Sequence, residues 1–421
     1  MEKYDIIVIG GGAAGLLAAG RAAELGAKVL IIEKMERPGR KLLITGKGRC
    51  NITNIAPIEA FLEHIYPNPD FVRQAFNVFF ASDIIDLLNK FGVPTVIERG
   101  GRVFPKSNSA RDVVDALVKY VKRYNVQIIQ GARVTQVNTA NKKATGIDYI
   151  HSNQTKTVIS DRVILCTGGC SYPATGSSGD GYKIAGELGH TIVKPLPSLV
   201  ALEVSDKNVK ELEGLNLRNV TATVLLNNKK QQSLFGEMLF ETFGLDGPII
   251  LSLSRFVVEK LQNKANKISI NIDLKPALDE AQLEARLLRD FNTLGRKPIG
   301  IAFKELLPQQ LISFFINRLG IEPFKPCSQI SAKERQAIIH LLKNFEFEIT
   351  GYRPFTEAII TAGGISTKEI DPKTMQSKLI ENLYFAGEII DLDADTGGYN
   401  LQIAWSTAIL AATSATQQKN E

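Results

Sequence analysis

The chain has 421 residues and carries 50 Lys+Arg against 44 Asp+Glu, a formal net charge of +6. That length asks for two or three domains, and 44% hydrophobic with 22% charged residues excludes a disordered or fibrous chain. So small an excess of charge predicts no polyanion partner unless the positive residues gather in one place.

Cys50, Cys166, Cys170 and Cys327 are too widely spaced for a zinc framework, and the histidines His64, His151, His190 and His340 share no motif, so no metal is expected. Cysteine usage of this kind fits a reduced, cytoplasmic chain. The start MEKYD has no signal-peptide pattern, and the uncharged Gly-rich run 6–20 is shorter than the roughly 20 residues of a membrane span, so no membrane partner is expected.

In chain order, YDIIVIG reads as a buried strand, GAAGLLAAGRAAELG as an Ala/Leu helix closed by Gly26, and AKVLIIEK as a second buried strand. Together they form a βαβ unit with both sheet faces covered. Helical spacing follows at 83–91 and 109–124, then period-two alternation over 126–150 predicts an antiparallel meander. DRVILCTGG is another apolar strand running into glycines. From about residue 198, RNVTATVLLNN, QQSLFGEMLFETFG and NKISINIDL are strand-like, whereas LDEAQLEARLLRDFN, GIAFKELLPQQLISFFINRLG and SAKERQAIIHLLKNF are amphipathic helical stretches. TEAIITAGGI and ENLYFAGEII return to the N-terminal style, and the tail SATQQKNE is expected to fray.

The expected fold is therefore α/β: a Rossmann-like, three-layer domain with a parallel sheet plus an antiparallel meander, made from residues 1–197 and 348–421. A β-rich, barrel-like module (198–277) and a helical module (278–347) interrupt it.

Gly10, Gly12 and Gly15 form G-x-G-x-x-G directly after a strand and at the opening of a helix, the context this fingerprint requires. The glycines permit the tight turn, close approach of a pyrophosphate and close helix–strand packing, with the diphosphate against the helix N-terminus. Glu33 ends the second strand, where an acid accepts hydrogen bonds from ribose hydroxyls and disfavours a 2′-phosphate. The fingerprint alone does not choose between FAD and NAD. Two later segments do: DRVILCTGG, with Thr167, Gly168 and Gly169, resembles the second nucleotide contact of FAD-binding two-dinucleotide-domain flavoproteins, and ENLYFAGEIID resembles their C-terminal FAD motif.

RPGRKLLITGKGRCNITN, CTGGCSYPATGSSGDGY, GEMLFETFGLDGPIILSLS, TAGGIS and LYFAGEIIDLDADTGGYNLQIAWSTA together resemble the BaiN-like, aminoacetone-oxidase-like family of bacterial FAD-binding proteins, from Tyr4 to Ala412. The resemblance implies an FAD domain with two inserted modules. It also implies one of two activities: NAD(P)H-fed reduction of carbon–carbon double bonds in oxo-steroids, or oxidation of a small aminoketone by oxygen with release of peroxide. With a single dinucleotide fingerprint, NAD(P)H would visit the flavin transiently. Family members often carry a His near Thr242; here the run is FETFG, so no role for such a His carries over.

The FAD contacts this implies are Gly10, Gly12, Ala13, Ala14, Gly15, Glu33, Lys34, Arg40, Lys41, Gly48, Arg49, Cys50, Asn51, Val134, Thr167, Gly168, Gly169, Gly387, Glu388, Gly398, Asn400 and Leu401. Glu388 would hold the ribityl chain. Residues 34–49 hold six Lys/Arg and one acid, a net +5, which reads either as neutralising the diphosphate and reduced flavin or as a solvated basic loop. Cys50 lacks a disulfide partner nearby and reads as a small packed residue rather than a redox thiol. Tyr172 and Tyr399 are the candidate proton donors or substrate stackers, against the alternative of packed tyrosines with satisfied hydroxyls. Phe240 and Phe243, with Gly363 and Gly364, are candidates for an apolar substrate pocket.

The leading expectation is an FAD-dependent oxidoreductase that reduces an activated, oxo-conjugated bond of a small apolar substrate. A tRNA-modifying flavoprotein is the remote alternative, because residues 198–350 hold 20 basic and 18 acidic residues and show no basic stripe, so no nucleic-acid partner is expected.

Overall fold

A computed structural model of the chain describes residues 3–417. They divide into two compact units, one formed by the chain up to Ser198 together with Pro354 onward, the other by Leu199–Arg353.

In the first unit, β1 (Lys3–Ile9) and β2 (Val29–Ile32) are near-continuous apolar runs and pair in parallel on either side of α1 (Ala13–Glu24) in sequence. α2 (Ala110–Arg123) packs on α1. The sheet continues with β3 (Gln127–Ile129), β4 (Ala132–Ala140), β5 (Lys143–His151) and β6 (Gln154–Leu165), in the spatial order β3-β2-β1-β6-β5-β4. The expected meander therefore begins one strand late. β3 is a parallel edge strand beside β2, because its two isoleucines are drawn onto the covered sheet rather than into the hairpin.

β6 changes partner midway: its first half pairs antiparallel with β5, and Ile159–Leu165 pairs in parallel with β1. α3 (Asp180–Glu187) follows, then β7 (Ile192–Ser198), which pairs with β8 (Ile360–Ile365). β9 (Leu383–Phe385) extends the parallel part of the sheet beside β6, and α4 (Tyr399–Gln417) closes the unit against α1. α4 includes the first residues of the tail expected to fray; the last four lie outside the described residues.

The second unit is a closed six-stranded barrel with helices built onto it. Its strands are Leu202–Val204, Asn216–Leu226, Lys229–Glu241, Gly244–Asp246, Ile268–Asp273 and Phe345–Tyr352. The last of these lies partly beyond residue 347, where the insertion was expected to end; it completes the barrel by pairing with Ile268–Asp273 and Leu202–Val204. The β-rich and helical stretches, expected as two modules, share one continuous apolar core. Phe345 joins them, packing on Phe347 and Phe240 of the barrel and on Phe314 and Phe315 of helix Gln309–Leu319. Helix Pro248–Leu261 has no counterpart in the sequence reading, since an apolar run among strands carries no decisive period.

Candidate functional site

The carboxyl ends of β1 and β6 lie side by side where the order of connections reverses, the place where open α/β sheets bind ligands. A Cβ on Gly10 (φ +98°) would lie 2.6 Å from the Cys166 carbonyl oxygen, and one on Gly15 would lie 1.8 Å from the Gly10 oxygen, so both glycines are required by backbone packing. Gly12 differs. It caps α1, and a Cβ there would meet nothing within 4 Å. α1 has no side-chain cap and no acid in its first turn, so its leading N–H groups and positive dipole end are unspent before open space. A helix end of this kind suits a diphosphate.

Glu33 stands at the end of β2, buried, its two oxygens accepting from the Gly11 N–H at 2.6 Å and the Met35 N–H at 2.7 Å. Burial pushes its carboxyl above the usual range, opposed by those two bonds. A carboxylate oxygen accepts more than one bond, so ribose hydroxyls fit here. Backbone bonds from Ala132 N–H to the Glu33 oxygen (3.0 Å) and from Gly131 N–H to the Met35 oxygen (3.1 Å) bring the start of β4, with the buried Val134, beside it.

Glu388 is the centre of a second cluster. Its carboxylate pairs with the Lys41 ammonium at 2.6 Å and accepts from the Ser171 hydroxyl at 2.8 Å and the Thr361 N–H at 2.9 Å. Nearby, Gly168 (φ +72°) and the buried Thr167 Oγ1, which has no hydrogen-bond partner, line the turn after β6. The open helix N-terminus at Gly12 and the Glu33 carboxylate at the end of β2 are the donor and acceptor that a dinucleotide needs, so the residues present fit FAD.

Half of the basic stretch 34–49 is spent on acids of the protein itself. Lys34 pairs with Asp180 at 2.8 Å, Lys41 with Glu388, and Arg49 with Glu98 while its guanidinium covers the Phe104 ring at 4.2 Å. Arg49, expected at the cofactor, is thus held by an acid and an aromatic ring; Arg40 is exposed. Cys50 is fully buried and burial pushes its thiol up to about 12, which makes it a neutral packed residue.

Around Gly398 (φ +100°), the Asn51 amide accepts from the Gly398 N–H at 3.0 Å and donates to the Thr53 oxygen at 3.2 Å. The Asn400 amide is spent on the Ala394 and Asp395 backbone, and Leu401 is half-buried. Tyr399 is buried, stacked on His64 at 4.4 Å and edge-on to Phe61 at 4.7 Å; burial, then Asp395, raises its hydroxyl pKa. His64 Nδ1 lies 2.9 Å from Asp395 Oδ2. This His–Asp pair next to Tyr399 was missed in the sequence, because 331 residues separate its members; the pairing of Ile65–Tyr66 with Asp393–Ala394 and the Asp395 N–H donating to the His64 oxygen at 3.0 Å join them. His190, another histidine without a sequence role, is buried and bonded to the Ser377 hydroxyl at 2.7 Å.

Tyr172 is half-buried in the left-handed region (φ +49°), its N–H donating to the Phe355 oxygen at 2.9 Å. Gly363 and Gly364 do not open a pocket: a Cβ on either would meet backbone at 2.5 Å (Lys194 oxygen) and 2.6 Å (Ile389 oxygen). Phe240 is likewise corrected to a barrel-core residue, fully buried with its ring 5.6 Å from Phe347. Phe243 is half-buried under the Arg353 guanidinium at 4.5 Å. Among the described residues, no group of acids, histidines and cysteines is placed to hold a metal, and no helix is long and apolar enough to cross a membrane.

The sheet order, the open cradle at Gly12 and the acid at the end of β2 define a Rossmann-type dinucleotide protein, and the comparisons make its class an FAD-dependent oxidoreductase. The family model described as HI0933-like protein Rossmann domain matches residues 4–414, and the chain belongs to that family. It is 32% identical over 412 residues to the ribosomal RNA dihydrouridine synthase of Escherichia coli K12, covering 97% of each chain. It is 30% identical over 417 residues to the 3-dehydro-bile acid delta(4,6)-reductase of Clostridium scindens, covering 98% of each. Among solved structures, 3-ketosteroid-delta4-(5alpha)-dehydrogenase from Rhodococcus jostii shares the fold, with a TM-score of 0.50 at 15% identity over 98% of this chain and 97% of that one.

Proposed function

We propose that the protein uses NAD(P)H to reduce a carbon–carbon double bond conjugated to a carbonyl. One observation carries this reading: two relatives that match nearly the whole chain at 30% identity or more are named for reactions on that kind of bond. In uracil the bond saturated to give dihydrouridine is conjugated to a ring carbonyl; in a 3-dehydro bile acid the Δ4,6 bonds are conjugated to the 3-oxo group.

Bound FAD supplies the hydride chemistry. The chain's share is to bind it, with Gly12 and the α1 N-terminus at the diphosphate, Glu33 at the ribose and Glu388 at the ribityl chain, and to deliver a proton to the carbon next to the carbonyl. Tyr399, stacked on His64, which Asp395 holds, is our candidate for that proton, and Tyr172 is the alternative. Single-turnover mixing without oxygen tests the reading. Both nicotinamides failing to bleach the flavin removes it; in a separate assay with oxygen supplied, peroxide formed from an aminoketone favours the oxidase alternative instead.

For the substrate, a small apolar oxo-conjugated molecule is the first reading. A base of ribosomal RNA is the second, favoured by the 32% identity to the E. coli enzyme. Offering the reduced protein a 3-oxo-4,6-diene steroid or unmodified ribosomal RNA separates them: the steroid reoxidises the flavin in the first case, and dihydrouridine appears by nucleoside mass spectrometry in the second.

A further inference from the structure

The second unit carries 21 basic and 18 acidic residues along its sequence, an unremarkable balance. The fold sorts them. Strand Asn216–Leu226 pairs with Lys229–Glu241 on one side and with Ile268–Asp273 on the other. The turn between the first two is tied to the loop before the third, Asn227 N–H donating to the Lys267 oxygen at 2.8 Å and Lys267 N–H to Asn227 Oδ1 at 2.9 Å. Residues 216–234 and 260–272, brought together in this way, contain Arg218, Lys229, Lys230, Lys260, Lys264 and Lys267 and no acid. Without these six, the unit holds 15 basic and 18 acidic residues.

Lys260 is paired with Glu259 at 2.8 Å. Arg218, Lys229, Lys230, Lys264 and Lys267 are exposed and in no ion pair among the described residues, unlike Lys34, Lys41 and Arg49. The same ribbon bears Phe235, 62% exposed, in an edge stretch whose pairing on the far side begins only at Leu239. Lys229 and Phe235 stand six residues apart, about 20 Å along a strand, with Gln231, Gln232 and Ser233 between them and two acids, Glu237 and Glu241, farther along the strand.

Unpaired lysines at one end, amide and hydroxyl side chains along the path and an exposed aromatic ring at the other are the parts that hold a single-stranded nucleic acid: phosphates on the cations, a base on the ring. We infer that the ribbon 216–236, with the loop 260–267, is a docking surface for single-stranded RNA. This rests on the RNA reading of the substrate and names the surface that would grip the strand.

The test uses the full-length flavin-loaded protein and a fluorescein-labelled, mixed-sequence single-stranded RNA 12-mer, with affinity measured by anisotropy across a salt series. K229Q/K230Q/K267Q is compared with K90Q/K119Q/K122Q, three exposed lysines of the first unit, and with F235A; flavin absorbance and melting temperature check folding. The expected result is a loss of about tenfold or more for the ribbon triple variant, with the log–log salt slope falling by about 2 for three phosphate contacts on a single strand. F235A is expected to lose about tenfold with the slope unchanged. Equal affinities for the two triple variants overturn the proposal. So does a change in sedimentation with F235A without loss of RNA, which makes the face a protein contact. Incubation with unmodified ribosomal RNA keeps the two readings apart: dihydrouridine formed equally by wild type and ribbon variant sinks the surface and keeps the substrate reading. Binding through the ribbon without dihydrouridine does the reverse.

Discussion

Three glycines of one fingerprint have different jobs at the residue scale, and substitution separates them. Gly12→Val places its side chain in open space at an ordinary backbone conformation (φ −79°), so the variant is expected to fold with a near-native melting temperature and to purify without flavin, seen as loss of the yellow absorbance. Gly15→Ala drives its methyl into the Gly10 carbonyl and is expected to give little folded protein. Among the cysteines, alkylation of the native protein at pH 8 followed by peptide mass spectrometry should label Cys170, which is partly exposed, and spare Cys50, Cys166 and Cys327, which are buried with raised thiol pKa values. Modification of Cys50 in the folded state would contradict its reading as a packed residue. Tyr399→Phe is expected to leave reduction of the flavin by nicotinamide intact and to slow reoxidation by the unsaturated substrate by about 10²-fold or more, the range of a lost general acid; equal effects on both half-reactions would remove Tyr399 from the proton path.

For single elements, helix Ala332–Lys343 offers a pH test. Its capping box joins Ser331 and Glu334, and Lys325 pairs with Glu334 at 2.6 Å; the Lys325 and Ser331 bonds pull the Glu334 carboxyl down to about 2. A depressed carboxyl stabilises the folded state fully above its ordinary value of 4.5, and that stability is lost as pH falls toward about 2. Glu334→Gln is therefore expected to lower stability by about 1 kcal/mol at pH 7, read by thermal melting, with the difference from wild type shrinking below pH 4.5. The helix that carries this box was legible in the sequence as an amphipathic stretch, as were β1, α1, β2 and three of the six strands of the barrel, because local period decided them. β3 was not: three residues cannot announce whether they will join a hairpin or the edge of a parallel sheet.

On the scale of the whole molecule, the barrel and helices of the second unit share a core and are expected to unfold together. Phe345→Ala removes the ring that touches both parts and is expected to cost about 3–5 kcal/mol, unfolding barrel and helices in one transition; two separate transitions in a denaturant titration would favour two modules instead. The cofactor site was readable from sequence to the extent that it depends on neighbours in the chain, as at Gly10, Gly12 and Gly15. The Glu388 and His64 clusters were not, since Lys41 meets Glu388 across 347 residues and His64 meets Asp395 across 331.

The modest +6 shows the same division. By itself the sequence determined the βαβ unit, the dinucleotide cradle and the family, all of which follow from backbone requirements and apolar periods that are local. Only the tertiary structure decided what the charges do, because an ion pair or an unpaired patch is a property of distance in space. It neutralises half of the dense cluster at 34–49 with Asp180, Glu388 and Glu98, and it gathers Lys229, Lys230, Lys264 and Lys267 where no described acid pairs with them.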